Sequence, residues 1–248
     1  MNMEYRLQAV GDSAVKIQAA GEVTEYMNAQ IRSICNKLEQ ASISGVIEWV
    51  PAYNSVTIYY QPIDISFQRI TKKLEEMLTN LSIRTTSSVR TVHVPVCYGE
   101  KYGPDLEYVA AYNRLTPDDV VAIHQKPAYL IYMIGFLPGF PYLGGLDKQI
   151  ATPRRKEPRP SIVKGSVGIA QEQTGVYPVS SPGGWNIIGR SPLQLFNPYD
   201  KQAPFLFKNG DRIQFYAISE NDYSYIFNLV EAGDFNVSIK EGASDDNN

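Results

Sequence analysis

The spacing of apolar positions changes along the chain, and each change marks an element. Ala14-Val15-Lys16-Ile17 alternates after the Gly11-Asp12 turn and predicts a short strand. Met27, Ile31, Ile34, Cys35 and Leu38 then fall at helical spacing. Val46 to Val50 and Val56 to Tyr60 read as strands, the second with alternating faces. Phe67, Ile70, Leu74, Leu78 and Leu81 mark a second amphipathic helix, capped by Asp64 or Ser66. Together these elements predict a small α+β domain over residues 1–86.

The polar run Thr85-Thr86-Ser87-Ser88 is the expected boundary. Beyond it, Val89 to Val96 predicts a strand with Val92, Val94 and Val96 on one face. Short helices are expected after Gly103-Pro104 and at Thr116-Pro117-Asp118-Asp119, where Thr116 caps, Pro117 opens the first turn and Asp119 closes a capping box. Tyr129 to Ile134, Val167 to Ala170, Leu193 to Phe196 and Arg212 to Phe215 read as further strands. Their turn-rich spacing predicts an all-β sandwich or barrel over residues 89–240. Residues 241–248 are acidic and polar and read as a disordered tail.

Between Tyr129–Ile134 and the later strands lies a stretch of different character. Ten of the chain's 18 glycines fall between Gly135 and Arg190, so tight turns must organise it. Aromatic and cationic side chains are interleaved with those turns, which suits a preformed pocket better than a linker. The same stretch is basic inside a chain of net charge −3. From Lys148 to Arg190 seven cations stand against Glu157 and Glu172, a local net charge of +5. Solvated loops account for Arg155 and Lys156. Arg154, Arg159 and Arg190 sit beside Pro or Gly, and held guanidinium groups suit a carboxylate or phosphate.

Composition narrows the function classes. A hydrophobic content of 44% builds an ordinary soluble core. No apolar run approaches the roughly 20 residues that span a bilayer, and Met1 to Arg6 has no signal-peptide pattern. Cys35 and Cys97 are too few for a disulfide framework or a four-ligand zinc site, and are expected as free thiols in the cytoplasm. With His93 and His124 as the two histidines, no metal site is expected, and the net negative charge argues against a nucleic-acid binder.

Several motifs tempt without carrying chemistry. Gly139 to Gly145 lacks the Lys that a phosphate loop needs after its last glycine, having Leu146 instead. Ser161-Ile162-Val163-Lys164 matches a Ser-x-x-Lys pattern, but Pro160 and Gly165 flank it and an extended segment is expected rather than the helix that chemistry needs. His93 alternates with Val92 and Val94 and belongs on the outer face of its strand. His124 ends a short helix, where it either complements the dipole or faces the pocket as a proton-transfer group. Phe136, Phe140 and Trp185 are core anchors or pocket walls, and Ser166, Thr174, Ser180 and Ser181 are candidate hydroxyl ligands.

A set of motifs then resembles a known family. They are Gly135-Phe136-Leu137-Pro138-Gly139-Phe140-Pro141-Tyr142-Leu143-Gly144-Gly145-Leu146, Thr152-Pro153-Arg154-Arg155, Gly165-Ser166-Val167-Gly168-Ile169-Ala170, Gln173-Thr174-Gly175-Val176-Tyr177-Pro178 and Ser181-Pro182-Gly183-Gly184-Trp185. Val94-Pro95-Val96-Cys97-Tyr98-Gly99, Gly11-Asp12-Ser13-Ala14 and Val50-Pro51-Ala52-Tyr53 extend the likeness to nearly the whole chain. The chain resembles the family of B-type subunits of 5-oxoprolinase, also called the KipI or allophanate hydrolase subunit 1 family. That resemblance implies an α+β domain followed by a cyclophilin-like barrel. It implies two partner chains, a KipA-like subunit (the C type) and a LamB/YcsF-like subunit (the A type). With them such a protein cleaves 5-oxo-L-proline to L-glutamate at the expense of ATP. ATP is then expected on or with the partner chains. Another implied role is inhibition of a sporulation sensor histidine kinase.

On this reading His124 is the catalytic candidate. Phe136, Arg154, Arg159, Gln173, Thr174, Trp185 and Arg190 would bind a small carboxylate substrate, with Arg154 and Arg190 as clamps. Two departures stand out. Val163-Lys164 replaces a usual Pro-x before Gly165, and Gln171 follows Ala170 where the family usually has glycine.

Overall fold

A computed structural model of the chain describes residues 5–82 and 89–242. They form two compact units. In the first, strands β1 (Tyr5–Val10), β2 (Ala14–Ala19), β3 (Val46–Pro51) and β4 (Ser55–Tyr60) make an antiparallel sheet in the order β1-β2-β4-β3. Helices α1 (Glu25–Ala41) and α2 (Phe67–Thr79) cover the face carrying Val15, Ile17, Val56 and Ile58. Their inward residues Met27, Ile31, Ile34, Leu38, Ile70 and Leu74 are buried there, because helical spacing places them on one stripe. Thr24 caps α1 by accepting the Met27 N–H at 3.1 Å, and Ser66 rather than Asp64 caps α2. Strand β1 is not signalled by the sequence, because its six residues are exposed or half-buried and show no apolar alternation.

The second unit begins with β5 (Val89–Tyr98), α3 (Leu106–Asn113), α4 (Pro117–Gln125), β6 (Ala128–Ile134) and β7 (Pro141–Gly144). It continues through a 3-10 turn (Lys148–Ile150), β8 (Arg159–Ile162), β9 (Ser166–Ala170), β10 (Gln173–Val176), β11 (Ser181–Gly183) and β12 (Asn186–Arg190). β13 (Arg212–Ala217), α5 (Glu220–Ala232) and β14 (Ile239–Gly242) complete it. β5, β13, β6, β7, β10, β9 and β12 follow one another around a barrel, which the Gly189–Tyr98 and Arg190–Cys97 pairs close. β13 runs parallel to β5 and the other pairs are antiparallel, so the barrel is mixed. β14 pairs with the first half of β5, and β8 with β11 forms a separate two-stranded ribbon.

Every barrel strand sends alternate residues into one core: Val92, Val94 and Val96, Tyr129 and Ile131, Leu143, Val167 and Ile169, Val176, Ile188, Ile213 and Phe215. The barrel is therefore filled by side chains. The capping box at Thr116 is present in full, with Asp119 accepting the Thr116 N–H at 3.0 Å.

Three expectations change. Helix α5 is not signalled by the spacing, because it buries little beyond Ile226 and so lacks a clear apolar stripe. Leu193 to Phe196 is not a strand; its one ladder contact is the isolated Phe196–Phe205 bridge. Glu241 and Gly242 end β14, paired with Arg90 and Val89, rather than opening a tail. The Thr85–Ser88 boundary and residues 243–248 lie outside the described residues.

Candidate functional site

Two opposed glycines create the floor of the site. Gly168 of β9 and Gly175 of β10 are register partners. A Cβ on Gly175 would stand 3.1 Å from Phe140 Cζ and 3.2 Å from Trp185 Cζ3, and one on Gly168 would stand 3.2 Å from Trp185 Cβ. The bare backbone thus lets both rings pack closely on the outer face of the barrel, while Val167, Ile169 and Val176 fill its inner side. Phe140, Ile162, Ala170, Tyr177, Trp185 and Ile187 form this second aromatic core, with Leu137 and Tyr142 packed against it. Phe140 meets Tyr142, Tyr177 and Trp185 edge to face, at centroid distances of 5.0, 5.3 and 5.5 Å.

Arg154 is exposed beside this cluster. Burial pushes the Tyr177 phenol up to about 12, and the Arg154 charge and the Trp185 backbone N–H partly offset it. Burial likewise raises Tyr142, against the same arginine. Both phenols therefore stay protonated at neutral pH next to a guanidinium. A cation with neutral hydroxyl donors is chemistry suited to a small carboxylate. Sequence reasoning missed Tyr142 and Tyr177, although both stand inside the motifs it singled out. Trp185 is buried, which makes it the wall of the cluster rather than a contact surface.

The remaining cations of the basic stretch do different work. Arg159 donates to both oxygens of Asp105, at 2.7 and 2.8 Å, and Arg155 donates to the same carboxylate at 3.0 Å. Asp105 also accepts the Ile187 backbone N–H at 2.6 Å and is 3% exposed, so it ties the start of α3 to β8 and β12. Arg159 is consumed by this structural pair, and Arg155 is not a solvated loop residue. Arg190 lies over the Tyr102 ring at 5.8 Å and donates to the Tyr223 hydroxyl. Its partners are thus different from those beside Arg154, and no contact unites the two proposed clamps.

His124 and Thr174 belong to the interior. Both are 0% exposed. The Thr174 hydroxyl donates to Gly168 O at 3.1 Å and so accepts from His124 Nε2 at 2.8 Å. The Tyr98 hydroxyl, which burial keeps protonated, donates to His124 Nδ1 at 2.8 Å. Tyr129 donates to the His124 carbonyl at 2.8 Å, and Phe215 stacks on the ring at 4.7 Å. Desolvation lowers the imidazole to about 3 and holds it neutral. Both nitrogens are thus occupied and the ring is fully buried. Gln173 is half-buried at the start of β10, opposite Ala170, and Phe136 stands on the β6–β7 turn, 77% exposed. Among the described residues no three His, Cys, Asp or Glu side chains gather as a metal site, and no helix is long and apolar enough to cross a membrane.

The paired α+β unit and cyclophilin-like mixed barrel define a known architecture. The urea carboxylase of Kluyveromyces lactis has the same fold, with a TM-score of 0.79 at 17% identity over 96% of this chain and 24% of that one. The conserved uncharacterized protein PH0987 of Pyrococcus horikoshii is 41% identical, with a TM-score of 0.52 over 88% of this chain and 100% of its own. The model of the carboxyltransferase domain, subdomain C and D, matches residues 5–207. Among curated proteins, the B-type subunit of 5-oxoprolinase from Bacillus subtilis is 43% identical over 90% of this chain and 97% of its own. That of Escherichia coli O157:H7 is 37% identical over 85% and 94%. The chain belongs to the family of 5-oxoprolinase B-type subunits, within the carboxyltransferase subdomain C and D proteins.

Proposed function

We propose that this chain is the B-type subunit of an ATP-dependent 5-oxoprolinase, acting with its KipA-like and LamB/YcsF-like partners to open 5-oxo-L-proline to L-glutamate. The observation that carries the reading is identity of 36 to 43% with curated B-type subunits of that enzyme, over at least 94% of their length. The surface chemistry supports it. Opening the lactam breaks its C–N bond after activation of the carbonyl by phosphorylation, and leaves two carboxylates on the product. In this reading the exposed Arg154 pairs with a carboxylate, and Tyr142 beside it keeps a protonated hydroxyl. Tyr177 and Trp185 hold that corner rigid from below.

His124 has no path to a reacting group in this arrangement, and we assign it to the integrity of the barrel. The residues described here do not make a triphosphate cradle. Gly139–Gly145 is turn and strand rather than a loop opening a helix, and Arg155 and Arg159 are spent on Asp105. ATP would be held by the partner chains, and no step of the nucleotide chemistry is assigned to this chain. Co-expression of all three chains, with and without this one, tests the reading through ATP-dependent glutamate release from 5-oxoproline. Release that persists at the same rate without this chain would refute it.

A further inference from the structure

The side chain of Arg154 is exposed, but its backbone is held on every side. Pro153 precedes it, and the ring of a proline fixes its own φ. Thr152 exchanges two backbone hydrogen bonds with Gln171, of 2.6 and 3.3 Å, and is 0% exposed. Its hydroxyl donates to Ile150 O at 3.1 Å and accepts from Asn113 Nδ2 at 3.0 Å. The two peptide groups that flank the Arg154 Cα are tied as well. Asn186 Nδ2 donates to Pro153 O at 2.8 Å, and Arg155 N–H donates to Gly184 O at 2.8 Å.

Both of these ties end on one short segment, Gly184-Trp185-Asn186. Between the two residues that hold Arg154 stands Trp185, whose ring meets Phe140 at 5.5 Å and Tyr177 at 6.3 Å. The segment that fixes the cation is therefore also a wall of the cluster against which Tyr142 packs. Of the two ties, the one from Asn186 is made by a side chain. Asn186 is 0% exposed, and its Nδ2 also donates to Ile169 O at 3.3 Å. Its Oδ1 is buried and has no partner among the described residues. A buried acceptor left unpaired destabilises a fold, and an apolar side chain of the same size would serve packing better. What the amide contributes is its NH2 group, and the shorter of that group's two bonds goes to Pro153 O.

We propose that Asn186 is a positioning residue for substrate binding, which holds Arg154 in place beside the Tyr142 hydroxyl through the Pro153 carbonyl and so preorganises the guanidinium for a carboxylate. This rests on the reading of the chain as a 5-oxoprolinase component in which Arg154 meets the substrate. A guanidinium on a fixed backbone loses less freedom on binding than one on a mobile loop, and its support sets how well it is aimed. Asn186 itself is fully buried, so its influence on a ligand passes through Arg154.

The test is a double-mutant cycle on the assembled three-chain enzyme, with KM and kcat for 5-oxoproline measured for the wild type, Asn186→Ala, Arg154→Ala and the double variant. Asn186→Ala should raise KM about threefold to tenfold and leave kcat within about twofold. A merely structural loss would instead reduce the active fraction, and hence kcat, with KM unchanged. In the Arg154→Ala background the same substitution should change KM by less than about twofold, because the residue it positions is gone. Asn186→Ser, which keeps a hydroxyl donor, should recover part of the loss. If Asn186→Ala does not fold, Asn186→Ser takes its place in the cycle under the same criterion. An unchanged KM, or effects of the two substitutions that multiply in the double variant, overturns the proposal and leaves the 5-oxoprolinase reading intact. Wild-type kinetics in Arg154→Ala overturns it too, since Asn186 then has nothing to position. Activity that does not depend on this chain removes the reading and the proposal with it.

Discussion

Asp105 and Arg159 are joined by two parallel hydrogen bonds, of 2.7 and 2.8 Å, across 54 residues of sequence. The carboxylate is buried and its other donors are Arg155 and the Ile187 backbone. Replacing Asp105 with Asn removes the charge and leaves two guanidinium groups facing a neutral amide. Stability should fall by about 2–4 kcal/mol, somewhat less than for a fully buried pair because both arginines keep some solvent. Urea unfolding followed by tryptophan fluorescence measures it. A loss below about 1 kcal/mol would show the pair to be incidental.

The Gly168–Gly175 floor admits no side chain without movement of a ring. In Gly175→Ala the new methyl would meet Phe140 Cζ and Pro141 O at 3.1 Å each. The expected cost is about 1–3 kcal/mol, the range for overpacking a core. The near-UV circular dichroism of the Phe140–Trp185–Tyr177 cluster should change with it. An unchanged spectrum and midpoint would mean that the rings do not rest on this backbone.

His124 makes stability depend on pH with a definite sign. Its folded pKa, near 3, lies below the roughly 6.5 of an unfolded histidine. The unfolded chain therefore binds the proton first. The histidine's contribution is intact above about pH 6.5 and is lost as the pH falls toward 3, by up to about 1.4 kcal/mol per pH unit. The stability of His124→Gln should lack this component, so the gap between wild type and variant should narrow on acidification. Parallel pH profiles from unfolding midpoints would show that the ring takes up a proton while folded.

Arg154 is exposed, and among the described residues it carries no structural ion pair of the kind that holds Arg159. Arg154→Ala should leave stability within about 0.5 kcal/mol. It should lower kcat/KM of the assembled enzyme for 5-oxoproline by about tenfold to a hundredfold, with partial recovery in Arg154→Lys. Unaltered kinetics in the alanine variant would remove Arg154 from the site.

Much of the fold was legible because it is written locally. The Thr116–Asp119 box, the Ser66 cap and the Val92-Val94-Val96 face depend on residues a few positions apart, and each stands as the spacing implied. The basic stretch was legible only as a charge imbalance. Which arginines remain available was decided by Asp105, some 50 residues away, and no spacing rule connects them. His124 shows the same limit: its helix-end position was plain, but its burial follows from Tyr98, Thr174 and Phe215, brought together by the barrel. The Phe136 turn was invisible for another reason, since a left-handed phenylalanine contradicts local preference and is imposed by the packing of Leu137 and Gly139.

The most direct measurement is a titration of this chain into fixed amounts of the purified KipA-like and LamB/YcsF-like chains, following ATP hydrolysis that depends on 5-oxoproline. The expected result is no coupled hydrolysis without the chain, and a rate that rises and saturates at a fixed ratio of the three. A rate independent of how much of the chain is added would contradict its assignment to the 5-oxoprolinase complex.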